Sequence, residues 1–242
     1  MSLAKLKSML DESQRVVFFG GAGVSTESGI PDFRSEAGLF KTMEGQSYPP
    51  ERLLSHSFFI RYPDEFYRFY KSKMIYLDAK PNGAHLALAK LEEQGKLKAV
   101  ITQNIDGLHQ AAGSKNVLEL HGSIYRNYCM DCEERYPLSA VINSEIVVPI
   151  CSGCNGIIRP DVVLYEEPLD SDIVEKAIDY IKNADMLIVG GTSLEVNPAA
   201  SFISHYEGDK LVLINKSSTA YDDRANLIIR DSIGKVLESA VS

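Results

Sequence analysis

Tryptophan is absent from this 242-residue chain, histidine occurs five times and cysteine only four times. Long apolar runs are missing too. Stretches such as Met186–Val189 and Val16–Phe19 fall far short of the roughly 20 residues a membrane-spanning helix needs. Near the start, Lys5, Lys7, Asp11 and Glu12 interrupt the apolar residues, so no secretory apolar block forms there and the cytoplasm is the default address. Nor is there a basic excess. Lys and Arg number 25 against 33 Asp and Glu, a net charge of −8. Phosphate backbones bind basic surfaces, so nucleic acid is not expected as a direct partner, whereas Lys-rich polypeptides suit an acidic surface. With 45% apolar and 24% charged residues, the chain can bury one sizeable core, as in an α/β domain carrying a smaller module. No feature specifies an oligomer, and a monomer is the default expectation.

The cysteines form two pairs, Cys129-Met-Asp-Cys132 and Cys151-Ser-Gly-Cys154, in the spacing C-x2-C-x18-C-x2-C. Two residues between sulfurs let both converge from one tight turn, and two such knuckles supply four thiolates to Zn²⁺. Gly153 and Gly156 would ease the second turn. Disulfides need an oxidising compartment that nothing here indicates, and a redox C-x-x-C needs no second pair. Four protein ligands leave no open position, so the zinc is expected to be structural and no cysteine remains as a nucleophile.

Val16-Val17-Phe18-Phe19 reads as a buried strand running into Gly20-Gly21-Ala22-Gly23-Val24-Ser25. A glycine turn after a strand lets backbone N–H groups approach a pyrophosphate, with Ser25 or Thr26 placed to open a helix. The turn is not the hydride-transfer fingerprint, because Thr26 stands where its third glycine belongs. Further apolar strands end at polar or glycine-rich residues: Lys98–Thr102 before Gln103-Asn104-Ile105-Asp106, Val117–Leu120 before His121-Gly122, Asp185–Val189 before Gly190-Gly191-Thr192-Ser193, and Leu211–Ile214 before Asn215. An open parallel sheet binding its ligand at the carboxyl ends of its strands requires this pattern. Ala84–Glu93 and Asp172–Lys182 read as amphipathic helices, the latter capped by Asp170 or Ser171. Residues 36–80 read as a helical insertion whose many aromatic rings pack a core. His121, at a strand's carboxyl end, is the candidate general base, since imidazole titrates near neutrality. His56, His85, His109 and His205 are expected to be structural or on the surface. Neither Ser25 nor Ser193 completes a serine-hydrolase elbow, so both are read as hydrogen-bonding ligands.

In this order the motifs resemble the sirtuins, NAD-dependent protein deacylases, and specifically the bacterial-type deacetylases. The run from Gly21 to Arg34, then Thr102–Asp106, His121-Gly122, the two cysteine pairs, Gly191–Ser193 and Asn215 carry the likeness over nearly the whole chain. The resemblance implies an α/β fold with a Rossmann-like parallel sheet as the large domain (residues 1–35, 81–122 and 159–242). The small domain would combine the helical module (36–80) and the four-cysteine zinc module (123–158). It implies NAD as co-substrate, acetyl-lysine proteins or peptides as substrate, and nicotinamide and O-acetyl-ADP-ribose as products. Asp106 and the Ile105 backbone would hold the nicotinamide amide, and Gln103 and Asn104 the ribose and a water. Phe33 would screen the sugar carbon. Ala22, Gly23, Ser25, Thr26, Asp32 and Arg34 would meet phosphates or ribose, while Gly191, Thr192, Ser193, Asn215 and the Ile233 backbone would meet the adenosine half. His121, Asn104 and Asp106 form the implied catalytic set.

Arg159–Tyr165 resembles the segment that pairs with substrate as an added strand, with Val162, Val163 and Phe33 lining the lysine channel and Tyr165 beside the peptide. Tyr165 replaces a usual phenylalanine, and Glu166 a usual glycine. Sirtuins that remove succinyl or malonyl groups share a Tyr-x-x-Arg pair, where this chain has Tyr67-Arg-Phe-Tyr70. A phenol lacks the charged fork of a guanidinium, so little activity on acidic acyl groups is expected. The alternatives open at this point are a protein mono-ADP-ribosyltransferase using the same NAD site, an NAD-sensing module without activity, and a dehydrogenase.

Overall fold

The computed structural model describes residues 2–35, 38–43 and 48–241. Of the helical module expected at 36–80, residues 36, 37 and 44–47 lie outside the described residues. The elements in chain order are α1 (Ser2–Glu12), β1 (Val16–Gly20), α2 (Leu39–Thr42), α3 (Pro50–Leu53), α4 (His56–Arg61), α5 (Pro63–Lys73), α6 (Gly83–Glu93), β2 (Leu97–Thr102), α7 (Leu108–Ala111) and β3 (Val117–Glu119). There follow β4 (Gly122–Cys129), β5 (Arg135–Pro137), α8 (Leu138–Ile142), β6 (Ile158–Val162), α9 (Ser171–Asn183), β7 (Met186–Gly190), β8 (Leu211–Ile214), β9 (Leu227–Ile229) and α10 (Ile233–Val241).

Six strands make one parallel sheet in the order β3-β2-β1-β7-β8-β9. The five expected strands are present, and β1, β7 and β8 are buried along their whole length, as the continuous apolar runs require. Strand order reverses between β1 and β7, so the crevice of the sheet opens where their glycine ends meet. One apolar layer packs α1, α6 and α10 on one face of the sheet, and a second packs α9 and the 3-10 turn Ala199–His205 on the other. Helix α9 begins at Asp170, whose carboxylate accepts from Ile173 N–H at 3.0 Å. Helix α6 begins at Asn82, whose side-chain oxygen accepts from Ala84 N–H at 2.9 Å.

Two expectations need correction. The glycine turn opens onto two short 3-10 turns, Ala22–Val24 and Thr26–Ser28, and neither Ser25 nor Thr26 caps a helix. Ser25 is drawn away by Asp106, and the Thr26 hydroxyl donates back to the Gly23 carbonyl at 3.0 Å. In the cysteine turns, the left-handed positions are Glu133 (φ 60°) and Asn155 (φ 65°), each just after the second cysteine of its pair, and not Gly153 or Gly156. Gly156 matters for a different reason: a Cβ there would sit 2.8 Å from the Cys129 sulfur.

The remaining residues build a second body. Strands β4, β5 and β6 form an antiparallel sheet in the order β5-β4-β6, so residues 158–162 pair with the zinc module. Its core is shared: Phe58, Phe59, Phe66, Tyr67, Phe69 and Tyr70 of the helical insertion pack with Ile124, Leu138, Val141 and Ile158. The aromatic run between 58 and 70 is thus mostly core, as expected, and Arg68 faces solvent.

Candidate active site and metal centre

Between the two bodies lies a cleft of about 1500 Å³, lined by the ends of the parallel strands and by the small-domain wall. Every residue expected at the dinucleotide and at the substrate lines it, from Ala22 through Arg34, Gln103 through Asp106, His121, Val162, Val163, Tyr165, Gly191 through Ser193, and Asn215 to Ile233.

At the switch point two glycine turns dovetail. Gly23 N–H donates to the Gly191 carbonyl at 2.8 Å, and a Cβ on Gly23 would lie 2.8 Å from the Gly191 Cα. Gly191 takes φ +60°, and its own Cβ would lie 2.3 Å from Val24 N. Only residues without side chains fit there, which leaves bare backbone facing the crevice. This is the cradle a pyrophosphate needs, so the residues present fit a dinucleotide. Across the mouth, Arg34 meets Glu195 at 3.0 Å, both partly exposed. Asn215 reaches back to the Thr192 carbonyl at 3.1 Å, and Gln103 to the Thr192 hydroxyl at 3.2 Å.

Deeper in, Asn104 donates to Ser25 Oγ at 3.1 Å, and Ser25 donates to Asp106 Oδ2 at 2.6 Å. Asp106 Oδ1 accepts from Leu108 N–H at 2.9 Å. Burial pushes the Asp106 carboxyl above its ordinary pKa, against the lowering effect of these bonds. His121 Nδ1 lies 2.9 Å from the Gln103 carbonyl. A carbonyl only accepts, so Nδ1 carries the proton of the neutral ring and Nε2 keeps a free lone pair. Burial pushes the imidazole below its ordinary pKa, partly offset by that carbonyl, so the ring is neutral at pH 7. The His121 carbonyl in turn accepts from Val163 N–H at 3.0 Å, tying the ring's strand end to the segment that follows β6.

Away from the cleft, the four sulfurs of Cys129, Cys132, Cys151 and Cys154 all lie within 4.8 Å of one another. Neighbouring sulfurs are 3.4 to 3.7 Å apart, too far for disulfides and close to the roughly 3.8 Å edge of a tetrahedron with 2.3 Å Zn–S bonds. Gly153 N–H and Asp131 N–H point at the sulfurs of Cys151 and Cys129, and Tyr136 donates to Cys151 at 3.1 Å. The donor set fits one structural zinc ion.

A model of the Sir2 family matches residues 21–198. The chain belongs to the Sir2 family. An NAD-dependent protein deacetylase of Clostridium acetobutylicum is 63% identical over 237 residues, covering 98% of this chain and 97% of that protein. A solved Sir2 with a deacetylated p53 peptide and 3'-O-acetyl ADP ribose superimposes with a TM-score of 0.91 at 41% identity, covering 100% of both chains. A Sir2 with a p53 peptide and NAD+ superimposes at 0.87 and 42% identity, covering 98% of this chain and 96% of the other.

Tyr70, which the sequence places where other sirtuins carry the arginine of the Tyr-x-x-Arg pair, lines the cleft. This Sir2 chain also brings residues there that the motifs did not single out. Met74 and Leu39 line it from the helical insertion, and Glu27 accepts from Gly234 N–H at 2.7 Å beside the start of α10. Behind His121, Arg126 of β4 pairs with Glu119 of β3 at 2.5 Å and with Asp161 of β6 at 2.9 Å, clamping the two sheets together. Each is an isolated polar or apolar residue, and no local pattern marks it. His85 and His109, set aside as structural, are buried against each other at 4.7 Å between ring centres. Among the described residues no helix is long and apolar enough to cross a membrane.

Proposed function

We propose that this Sir2 chain is an NAD-dependent protein lysine deacetylase, converting acetyl-lysine, NAD and water to lysine, nicotinamide and O-acetyl-ADP-ribose. The observation that carries this reading is the single cleft that joins the bare glycine backbone, the neutral His121 ring and the apolar wall of Phe33 and Val162.

When bound, NAD supplies a nicotinamide–ribose bond whose cleavage leaves an electrophilic sugar carbon. Asp106 and the Ile105 backbone hold the carboxamide end; the buried carboxylate is already oriented by Ser25 and Leu108. Ala22, Gly23, Thr26, Asp32 and Arg34 bind phosphate and ribose, and Arg34 gives up its exposed contact with Glu195 to do so. Gly191, Thr192, Ser193, Asn215 and the Ile233 backbone receive the adenosine half. Gln103 and Asn104 orient the ribose and a water. His121 acts as the general base: Nε2 takes the proton of a ribose hydroxyl, and the Gln103 carbonyl stabilises the resulting imidazolium through Nδ1–H. Phe33, held edge-on by Phe40 at 5.8 Å, excludes water from the sugar carbon. Val162 and Val163 line the lysine channel, and Tyr165 sits beside the peptide. The zinc on Cys129, Cys132, Cys151 and Cys154 is structural.

The division into residues 1–35, 81–122 and 159–242, 36–80, and 123–158 belongs to the same proposal, with strand 158–162 shared between sheet and cleft wall. The net charge of −8 supports action on proteins and not on nucleic acid. A cytoplasmic monomer is the setting this proposal assigns.

The test incubates the protein with labelled NAD and an acetyl-lysine peptide. Free O-acetyl-ADP-ribose and nicotinamide are expected, with His121→Ala slowing turnover about 100- to 10,000-fold. Label retained on protein, with the acetyl group left on the peptide, would overturn the deacetylase reading.

A further inference from the structure

Residues 22–28, beside the glycine cradle, form two 3-10 turns of three residues each. Turns that short carry too few hydrogen bonds of their own to fix a shape, so the shape has to come from neighbours. The segment has two sides. Ser25, Thr26 and Glu27 line the cleft, whereas Val24 and Ser28 do not. On the cleft side Ser25 reaches Asp106. On the other side stands Asn82, at the start of α6 and outside the cleft lining. Its Nδ2 donates to the Val24 carbonyl at 2.8 Å and to Ser28 Oγ at 2.9 Å, so one amide group spans both turns. The rest of Asn82 is committed to the helix. Oδ1 accepts from Ala84 N–H at 2.9 Å, and the backbone N–H donates to His85 Nδ1 at 3.2 Å. Helix α6 is seated on the parallel sheet through Ala84, Leu88 and Leu91, so the large-domain core sets the aim of the amide. Capping alone does not call for an amide, because a lone oxygen is enough and serine caps as well as asparagine. Accepting once and donating twice does call for it.

We propose that Asn82 is a positioning residue for the dinucleotide: from the start of α6 it holds residues 24–28 in their binding shape before NAD arrives. The proposal rests on the NAD-binding half of the function proposed above and leaves its steps unchanged. A cofactor that meets an ordered loop does not have to order it, and that cost is otherwise taken from affinity. Without the tie the loop spends part of its time in other shapes, and NAD binds more weakly by that fraction. The same helix start also backs the nicotinamide side. His85 packs on His109 of α7 at 4.7 Å between ring centres, and α7 begins two residues after Asp106. The bond from Ser25 to Asp106 joins the two loops in front, and the start of α6 joins them behind.

The experiment titrates NAD and, separately, ADP-ribose into peptide-free protein by calorimetry, and follows deacetylation with NAD and peptide each varied. Asn82→Ser keeps an oxygen for the cap, adds no charge and removes both amide donors. It should raise the Kd of NAD and of ADP-ribose about 5- to 30-fold, as loss of the two bonds predicts. Because bound NAD restores the loop, kcat at saturating NAD should stay within about twofold of wild type, with peptide KM unchanged. The melting temperature should fall by roughly 2–8 °C. Leu91→Val trims the core face of the same helix about 13 Å away and should cost a similar amount of stability, yet leave both Kd values as they are. Kd values in Asn82→Ser equal to wild type overturn the proposal and leave deacetylation standing. So does an equal rise in Leu91→Val, since any loosening of α6 would then serve. A wild type that binds neither NAD nor ADP-ribose sinks the reading of function, and this proposal with it.

Discussion

On the nucleotide side of the cleft the surface is backbone: Gly21, Gly23 and Gly191 interlock so tightly that no side chain fits between the two turns. On the acyl side it is side chain: Phe33, Tyr70, Ile124 and Val162 come from segments far apart in the sequence, held by one apolar core. The first surface is fixed by a parallel sheet buried on both faces. The second depends on a small body stapled by a metal and a helical insertion. Rigid, locally encoded backbone suits a cofactor common to all turnovers, whereas a wall assembled from side chains is where substrate choice can vary. The His121 carbonyl, bonded to Val163 N–H, is one of the joints between them.

The largest expected effect breaks one region and spares the other. Cys129 is buried in the small-domain core, and structural zinc sites contribute on the order of 10 kcal/mol of apparent folding free energy. Cys129→Ser should lose zinc and deacetylation together while the parallel sheet keeps a separate, cooperative melting transition. Metal analysis and calorimetry read both. A single transition lost as a whole would mean that the two regions do not fold separately.

Acid should act on the opposite region. His85 and His109 sit between α6, α7 and β1, with both His109 nitrogens and His85 Nε2 lacking partners among the described residues. Burial lowers His85 to about 4, and burial together with His85 lowers His109 to about 3. Folded-state values below the unfolded one mean that stability is full above pH ~6.5 and is lost as pH falls toward 4. For His85 alone that loss is about 3 kcal/mol. Chemical denaturation at pH 7 and pH 4.5 measures it, and His109→Phe should make the slope shallower. A slope unchanged in that variant would place the acid sensitivity elsewhere.

What is legible in the sequence follows the same divide. Five strands, the glycine turns and the cysteine knuckles are readable because each is a local signal: an apolar run, a missing side chain, a two-residue spacing. The sixth strand, Leu227–Ile229, is three residues at a sheet edge, too short to show a period, and helices α1 and α10 are not distinguished either. The sequence marks Ser25 as a hydrogen-bonding ligand, but its partner Asp106, 81 positions away, belongs to tertiary structure. The Glu119–Arg126–Asp161 clamp is of the same kind. The chemistry-bearing residues can be named from motifs and their resemblance; the bonds that orient them cannot.

Asp106→Asn sharpens the comparison at the seam. The carboxylate accepts from both Ser25 and Leu108, whereas an amide has one oxygen to accept with and presents a donor to the other. Loss of one buried bond of this kind predicts a fall in kcat/KM for NAD of about 10- to 100-fold, accompanied by a melting temperature lowered by roughly 2–8 °C. Steady-state kinetics with NAD varied at saturating peptide would show it. If peptide KM moved and NAD kinetics did not, Asp106 would belong to the acyl side.

The smallest effect is expected at the position where this chain replaces a usual glycine. Glu166 takes φ 77°, which disfavours a residue with a Cβ by roughly 1–2 kcal/mol. Its carboxylate offsets that by accepting from Ser57 N–H and Ser57 Oγ, both at 2.9 Å, at the start of α4. The neighbouring amides of Val163, Leu164 and Tyr165 are bonded within the chain, leaving Glu166 as the next amide for an incoming peptide strand. Glu166→Gly removes strain and bonds together, so the two nearly cancel and the melting temperature should shift by less than about 3 °C. Peptide KM should rise severalfold, because the segment loses its tether to α4, while NAD kinetics stay as they are. An unchanged peptide KM would mean that the tether does not hold the peptide-side edge in place, and that Val163 and the Tyr165 bonds to Leu54 and His56 suffice.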